Sequence, residues 1–323
     1  MSIFLALSSA PAARALEIYG YDPGTHDRFT AGTYGTSNPV ANPNFVGASY
    51  DWSGVGWDTA SPSRSVALVS SKTFVCAQHY QIPAGQTLTF YNRAGQLKTY
   101  TVDRYSTLVD HVDDTGTHTT DLSLGWLREE VGSSDNIAIY PVFNIDDPSN
   151  SFWDASGFNT AAGQQIRNSL MLYGWNARVG TAMNIRSVGY QSYASDPVTT
   201  CYLAMDFYSR DYYNRRGELV QGVPGTAGGQ GGDSGSPTFG IYNGRMVVMG
   251  THSGVSTTNV NGVWTTYDAF IPRYIGEMEL AMAGSGYYLD VIDQYAVPEP
   301  ATMLLFGAGL GGLLISKRKK IEK

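Results

Sequence analysis

The sequence predicts an all-β protein, a barrel or sandwich of short strands with one late helix. Three observations predict it. Apolar stretches of strand length recur along the body, separated by turns rich in Gly, Asn and Ser. A helical period occurs only near the end of the body, where Ile271, Tyr274, Ile275, Met278 and Met282 recur at three- and four-residue spacing. The composition, with Gly 37 and Tyr 22 in 323 residues and only 15% charged, suits an exported β protein better than a charged helical one.

In chain order, residues 20–64 are rich in Gly, Ser, Asn and Pro and read as irregular structure with short strands. Strand patterning begins at Ser65, with Val66, Leu68 and Val69, then Phe74 and Val75, across a Ser70-Ser71-Lys72 turn. Thr87–Asn92 and Leu97–Val102 flank Arg93-Ala94-Gly95-Gln96 as a hairpin. Ile137–Phe143 and Leu170–Tyr173 are further strands. Thr238–Tyr242 and Met246–Gly250 flank Asn243-Gly244, the strongest short hairpin signal in the chain, and Asn261-Gly262 marks a turn before Val263–Tyr267. No internal repeat is evident. The expected organisation is an export signal over 1–15, one body over 16–285, a linker over 286–296 and a tail over 297–323.

Both ends carry addresses. Ile3-Phe4-Leu5-Ala6-Leu7, followed by small residues to Ala13-Arg14-Ala15, reads as an export signal cleaved before Leu16. At the other end Ala301–Ile315 is apolar without a charge, and Lys317-Arg318-Lys319-Lys320 follows. Such a helix spans about 22 Å against a hydrocarbon core of roughly 30 Å, so its flanks must help it cross. The basic cluster would stay cytoplasmic, which places the body outside the cytoplasm. Just before the apolar segment stands Val297-Pro298-Glu299-Pro300. Pro-Glu-Pro, a short apolar helix and a basic cluster, in that order, resemble the PEP-CTERM sorting tail of Gram-negative bacteria. The resemblance implies an exosortase-type membrane peptidase as partner. It also implies transient or retained insertion in the inner membrane, and delivery to the cell envelope or beyond.

Composition excludes several function classes. A net charge of −7 lacks the basic footprint of nucleic-acid binding. Two cysteines can form neither a disulfide framework nor a multi-cysteine zinc site.

Gly231-Gly232-Asp233-Ser234-Gly235-Ser236-Pro237 is where the chemistry concentrates. Glycines around a serine let the backbone turn tightly, so that the hydroxyl projects and neighbouring N–H groups converge on one point. A serine needs a base, and a base needs an orienting carboxylate. Of the histidines at 26, 79, 111, 118 and 252, His79 closes the strand-like run Phe74–His79, where a rigid element can aim it. Asp121 opens the alternating stretch Asp121-Leu122-Ser123-Leu124 and is the candidate carboxylate.

These residues carry a second resemblance. Val75-Cys76-Ala77-Gln78-His79-Tyr80, Asp121-Leu122-Ser123-Leu124 and Gly232-Asp233-Ser234-Gly235-Ser236-Pro237 resemble the His, Asp and Ser blocks of chymotrypsin/trypsin-like serine endopeptidases, in that family's order. Tyr173-Gly174-Trp175 and residues 270–284 resemble its supporting blocks. The resemblance spans roughly Ser65–Ala283. It implies two six-stranded antiparallel β-barrels with a C-terminal helix and a cleft between them. It further implies Ser234 as nucleophile, His79 as general base, Asp121 as its orienter, and the N–H groups of Gly232 and Ser234 as the oxyanion hole. Substrates would be proteins or peptides, with no metal or cofactor required.

The pocket-base position corresponds to Gly228, which gives no acid there. Gly250-Thr251-His252-Ser253-Gly254 resembles the G-x-H block of glutamyl endopeptidases, so Gly228, Gly229, His252, Ser253 and Gly254 are the candidate specificity pocket, with His252 favouring Glu. His252 as a plain pocket-wall residue is the other reading. Departures from the family are Tyr80 in place of a disulfide-bonded cysteine and no Ile-Val-Gly-Gly activation site before Ser65. They leave Asp233 without an assigned cation, and Cys76 and Cys201 as expected buried free thiols. An inactive protease-fold surface protein and an esterase with the same triad are the rival functions.

Overall fold

Strands that are apolar on both faces need two burial partners, and the run from Ser65 to Ala77 finds them in two separate clusters. The computed structural model describes residues 16–293 except 31–33, 114–115, 145–159, 183, 193–198, 209–211, 214–218, 221–223, 231 and 257–262. The export signal and the apolar tail helix fall outside the described residues.

β1 (Glu17–Ile18) and the short helix α1 (Pro23–His26) open the chain, with the Asp22 side chain accepting the Gly24 N–H at 3.0 Å as the helix cap. Then come β2 (Val55–Asp58), β3 (Ser65–Leu68), β4 (Thr73–Ala77), β5 (Thr87–Tyr91), β6 (Leu97–Asp113) and β7 (Gly116–Leu127). They close into one antiparallel barrel in the order β2-β3-β4-β7-β6-β5. Val66, Leu68, Phe74, Cys76, Leu88, Phe90 and Val102 share one buried cluster. The intervening positions, Ala67, Val75, Leu122, Leu124 and Trp126, join a larger cluster shared with the second half. Two glycines make room for the rings inside. Gly125 pairs with Phe74 and Gly56 with Phe90, and a Cβ at either would lie 2.2 or 2.5 Å from the facing ring.

The second half contains β8 (Val142–Asn144), α2 (Ala161–Arg167), β9 (Met171–Gly174), β10 (Arg178–Thr181), β11 (Asn184–Ser192) and β12 (Thr199–Tyr208). A two-stranded ribbon, β13 (Tyr212–Tyr213) with β14 (Leu219–Val220), precedes β15 (Ala227–Gly228). β16 (Pro237–Tyr242), β17 (Arg245–Val255), β18 (Val263–Phe270), α3 (Ile275–Met282) and β19 (Val291–Asp293) complete it. A nine-stranded sheet runs β10-β9-β16-β17-β18-β12-β11, with β8 joining β17, and β19 joining β8, both in parallel.

This sheet differs from the second six-stranded barrel that the family resemblance implied. Among the described residues its end strands β10 and β11 are not hydrogen-bonded to each other. Thr181 at the end of β10 bridges to Thr226 instead, and β15 pairs with the lead strand β1.

Most predicted elements begin within a residue or two of the expected start, while β6, β17 and β18 run on past Val102, Gly250 and Tyr267. The Asn243-Gly244 turn has both residues at positive φ, 48° and 77°, as a tight two-residue hairpin requires. Three expectations change. Of Ile137–Phe143 only the end becomes strand, because single bonds pin the rest: Ala138 N–H to Ser53 Oγ at 2.8 Å and Tyr140 N–H to the Leu68 carbonyl at 2.9 Å. The late helix begins as a 3-10 turn over Ile271–Tyr274, with α3 proper burying Met278 and Met282. The expected linker 286–296 is partly structured, since β19 sets Val291 and Ile292 against Val142 and Phe143 while Asp290 pairs with Arg245. No helix among the described residues is long and apolar enough to cross a membrane.

Gly125→Ala should cost about 1–3 kcal/mol by overpacking against Phe74, read as a lower urea midpoint. Gly276→Ala, on an exposed turn of α3 with nothing within 4 Å, should raise the midpoint instead. Equal midpoints for the two variants would contradict this account of the barrel interior.

Candidate active site

β4 ends at Ala77 and the chain tightens into a 3-10 turn over Gln78–Tyr80, which throws His79 off the barrel rim. β7 runs beside β4 with Leu122 opposite Ala77, so Asp121 arrives next to that turn. The His79 backbone N–H donates to Asp121 Oδ1 at 3.0 Å, and the ring Nδ1 lies 3.0 and 2.9 Å from the two carboxylate oxygens. From the second half, the turn before β16 brings Ser234 Oγ to 2.9 Å from His79 Nε2. With Nδ1 protonated toward the carboxylate, Nε2 is left to accept the serine hydroxyl. The three residues predicted as a triad therefore meet, in the predicted order of contact.

Asp121 is 7% exposed and held from several sides. Its N–H donates to Thr200 Oγ1 on β12 at 2.9 Å, and the Ser253 hydroxyl on β17 donates to Oδ2. His79 keeps 45% of its side chain exposed. Its pKa is raised above 6.5, first by the hydrogen bond it donates to Asp121, against a partial loss of hydration that works the other way.

The turn that carries Ser234 is shaped by Gly232 at φ 108° and Gly235 at φ 83°, conformations that side-chain-bearing residues rarely adopt. At Gly235 a Cβ would also sit 3.3 Å from the Ala77 nitrogen and the Ser65 carbonyl. Within the turn, N–H groups of Asp233, Gly235 and Ser236 donate to Gln230, His252 and Asp233 carbonyls at 2.8–3.0 Å. The N–H groups of Gly232 and Ser234 find no acceptor among the described residues. Asp233 is fully buried and accepts the Trp175 and Gln230 N–H groups, both at 2.8 Å, while burial pushes its carboxyl up to about 6. Leu16, 2% exposed, lies beside it: a Cβ on Gly174 would meet Leu16 Cβ at 2.7 Å and Asp233 Oδ1 at 2.8 Å.

The five candidate pocket residues separate. Gly228 pairs with Glu17 in the β1–β15 ladder. Gly229 donates to Thr266 Oγ1 at 2.9 Å and lies flat against the His252 ring, which a Cβ there would enter at 2.2 Å. His252 is 4% exposed, with Nδ1 3.2 Å from Asp268, a fully buried acid that also accepts the Thr238 hydroxyl. Gly254 pairs with Tyr267 beyond a bulge in β17. Ser253, expected in the pocket, turns its hydroxyl to Asp121 instead.

Sequence reasoning missed Thr200 altogether. Ser253 was legible as a residue beside His252, but the bulge that aims it is a three-dimensional feature. Cys76 and Cys201 are free and buried, and burial pushes the Cys76 thiol up to about 12, far from a reactive thiolate. Among the described residues, no cluster of three or more His, Cys, Asp or Glu side chains is placed to hold a metal ion.

Comparison with known families identifies the C-terminus. Residues 296–319 match the model of the PEP-CTERM protein-sorting motif, within a residue of the predicted start. This motif marks a protein exported to the cell envelope, with an exosortase as its sorting partner. No curated protein matches the chain.

The His79 imidazole should titrate above 6.5 by NMR, and in Asp121→Asn it should fall below 6.5 because only the dehydration effect remains. The sign for stability follows from the raised value. The pair's contribution is fully present below pH 6.5 and is lost as pH rises through the folded-state pKa. An unmoved titration in Asp121→Asn would break the link between the two residues.

Proposed function

We propose that the protein is an exported serine endopeptidase of the chymotrypsin-like kind, with its catalytic cleft at the seam between the barrel and the second sheet. The reading is carried by one observation: the continuous Ser234–His79–Asp121 hydrogen-bond relay, assembled from both sides of that seam. Ser234 Oγ attacks the scissile carbonyl as its proton passes to His79 Nε2. Asp121 stabilises the imidazolium through Nδ1. The tetrahedral oxyanion takes hydrogen bonds from the N–H groups of Gly232 and Ser234, each worth about 3–4 kcal/mol in such sites. Collapse expels the amine, which takes the proton from His79 and leaves an acyl-enzyme. A water, deprotonated by His79, then repeats the sequence and releases the acid.

Two further features support the reading. Removal of residues 1–15 would leave the α-amino group of Leu16 close to Asp233, the cation that the resemblance asks for. The resemblance's second barrel would correspond to the sheet β10-β9-β16-β17-β18-β12, brought near closure by β15 between β10 and β12. In the pocket, His252 is anchored on Asp268 through Nδ1, and its other ring nitrogen could receive a substrate carboxylate beside Gly229.

A fluorophosphonate probe should label the wild-type protein with its export signal removed and leave Ser234→Ala unlabelled. The same variant should lose about 10⁴- to 10⁶-fold in kcat on a casein-derived peptide. Labelling that survives in Ser234→Ala, or a wild type that neither labels nor cleaves, would sink the proposal. In a fluorogenic peptide library, cleavage should favour Glu before the scissile bond, and His252→Ala should erase that preference. Indifference to Glu in the wild type leaves His252 as a wall residue.

A further inference from the structure

His79 stands on a 3-10 turn of three residues with 45% of its side chain exposed, so little packing holds the ring itself. A general base must keep its nitrogen within hydrogen-bond reach of the serine hydroxyl, and a misplacement of about 1 Å costs on the order of 100-fold in rate. One set of ties runs from the turn to β7. Asp121 accepts the His79 N–H at 3.0 Å, and Gln81 Nε2 donates to Ser123 Oγ at 2.6 Å. A second set runs from Tyr80 to the loop that joins β2 to β3.

Two consecutive residues of that loop hold Tyr80. Its hydroxyl lies 3.1 Å from Ser63 Oγ, and the Arg64 guanidinium carbon stands 4.8 Å from its ring centre, a cation–π contact. Arg64 is itself fixed, because its Nη1 donates at 3.3 Å to Oδ2 of Asp58, an acid whose side chain is 1% exposed. Asp58 Oδ1 accepts the Ala60 N–H at 2.9 Å, and the Asp58 N–H donates to the Arg64 carbonyl at 2.9 Å, which closes the loop. The Tyr80 ring also stacks with the His79 imidazole, centres 6.3 Å apart and planes 29° from parallel. The contacts thus form a chain, Asp58–Arg64–Tyr80–His79, from a buried acid of the barrel to the exposed base.

Tyr80 stands where the family resemblance places a disulfide-bonded cysteine, while both cysteines here are free and buried. We propose that Arg64 and Tyr80 are positioning residues for His79, their cation–π contact and the Ser63–Tyr80 hydrogen bond tying the His79 turn to the β2–β3 loop in place of a covalent bridge. The proposal rests on the serine-peptidase reading of Ser234, His79 and Asp121. Because Asp58 neutralises Arg64, the guanidinium acts on the turn by contact rather than by its field.

The test uses Tyr80→Leu, Tyr80→Phe and Arg64→Lys in the chain lacking its export signal. None of the three changes a charge. On a casein-derived peptide Tyr80→Leu should lower kcat about tenfold with KM unchanged, Tyr80→Phe should recover most of that loss, and Arg64→Lys should lower kcat about threefold. By NMR the His79 titration in Tyr80→Leu should fall toward 6.5 as the ring loosens from Asp121, whereas added hydration alone would raise it. An unchanged kcat, a raised KM at constant kcat (a substrate contact instead), or a His79 titration that stays or rises in Tyr80→Leu would overturn the proposal. Should Tyr80→Leu fail to fold, Arg64→Lys carries the same two measurements with the same signs. A wild type that neither labels with a fluorophosphonate nor cleaves peptide sinks the peptidase reading, and the titration still decides whether Tyr80 holds the imidazole.

Discussion

The carboxylate of Asp121 is the point on which the two halves of this molecule converge. It is almost fully buried, and a buried charge is tolerated only when its lone pairs are occupied. The occupants are the backbone and ring of His79 from the barrel rim and the hydroxyl of Ser253 from β17, while Thr200 on β12 fixes the aspartate's own N–H. Sliding one half against the other would strip partners from this charge. The interaction that orients His79 is therefore also a lock on the register between barrel and sheet. The seam tolerates little slack, as the close approach of Gly235 to Ala77 and Ser65 shows.

The legibility of this arrangement in the sequence divides along a physical line. Local patterns carried what local physics decides. The Asn243-Gly244 hairpin, the β5–β6 hairpin and the apolar period of α3 all formed where turn chemistry and periodicity put them. His79, Asp121 and Ser234 could be named because each stands in a short, recognisable block. Features that depend on partners distant in sequence were not legible. Thr200 sits among ordinary strand residues, and only the packing of β12 beside β7 gives it a role. Residues 286–293 look like linker until β8 supplies an edge for Val291 and Ile292. Closure of the second sheet depends on which strand takes β15, and the lead strand β1, outside any motif, takes it.

That lead segment explains how a chain of this kind holds together without cross-links. Small exported domains commonly rely on disulfides, whereas both cysteines here are free. Residues 16–30 clasp the molecule instead. β1 pairs with β15, Asp27 engages Arg178 of β10, and Arg28 reaches the carbonyl of Tyr91 on β5. The clasp joins parts far apart in sequence, as a disulfide would, but its individual bonds are weak and must act together.

The same absence of cross-links constrains where the thiols can stand. In an oxidising compartment an accessible thiolate is a liability, and attack on a disulfide or oxidant requires both exposure and ionisation. Cys76 is 1% exposed inside the barrel and Cys201 is fully buried in the core at the seam. Burial raises the Cys76 pKa to about 12, which removes the ionised form as well. Export and free cysteines are compatible here because the strands that carry them are interior on both faces. The residues that stay open to solvent are then left to the rim: the serine turn, the 3-10 turn of His79 and the half-exposed imidazole between them.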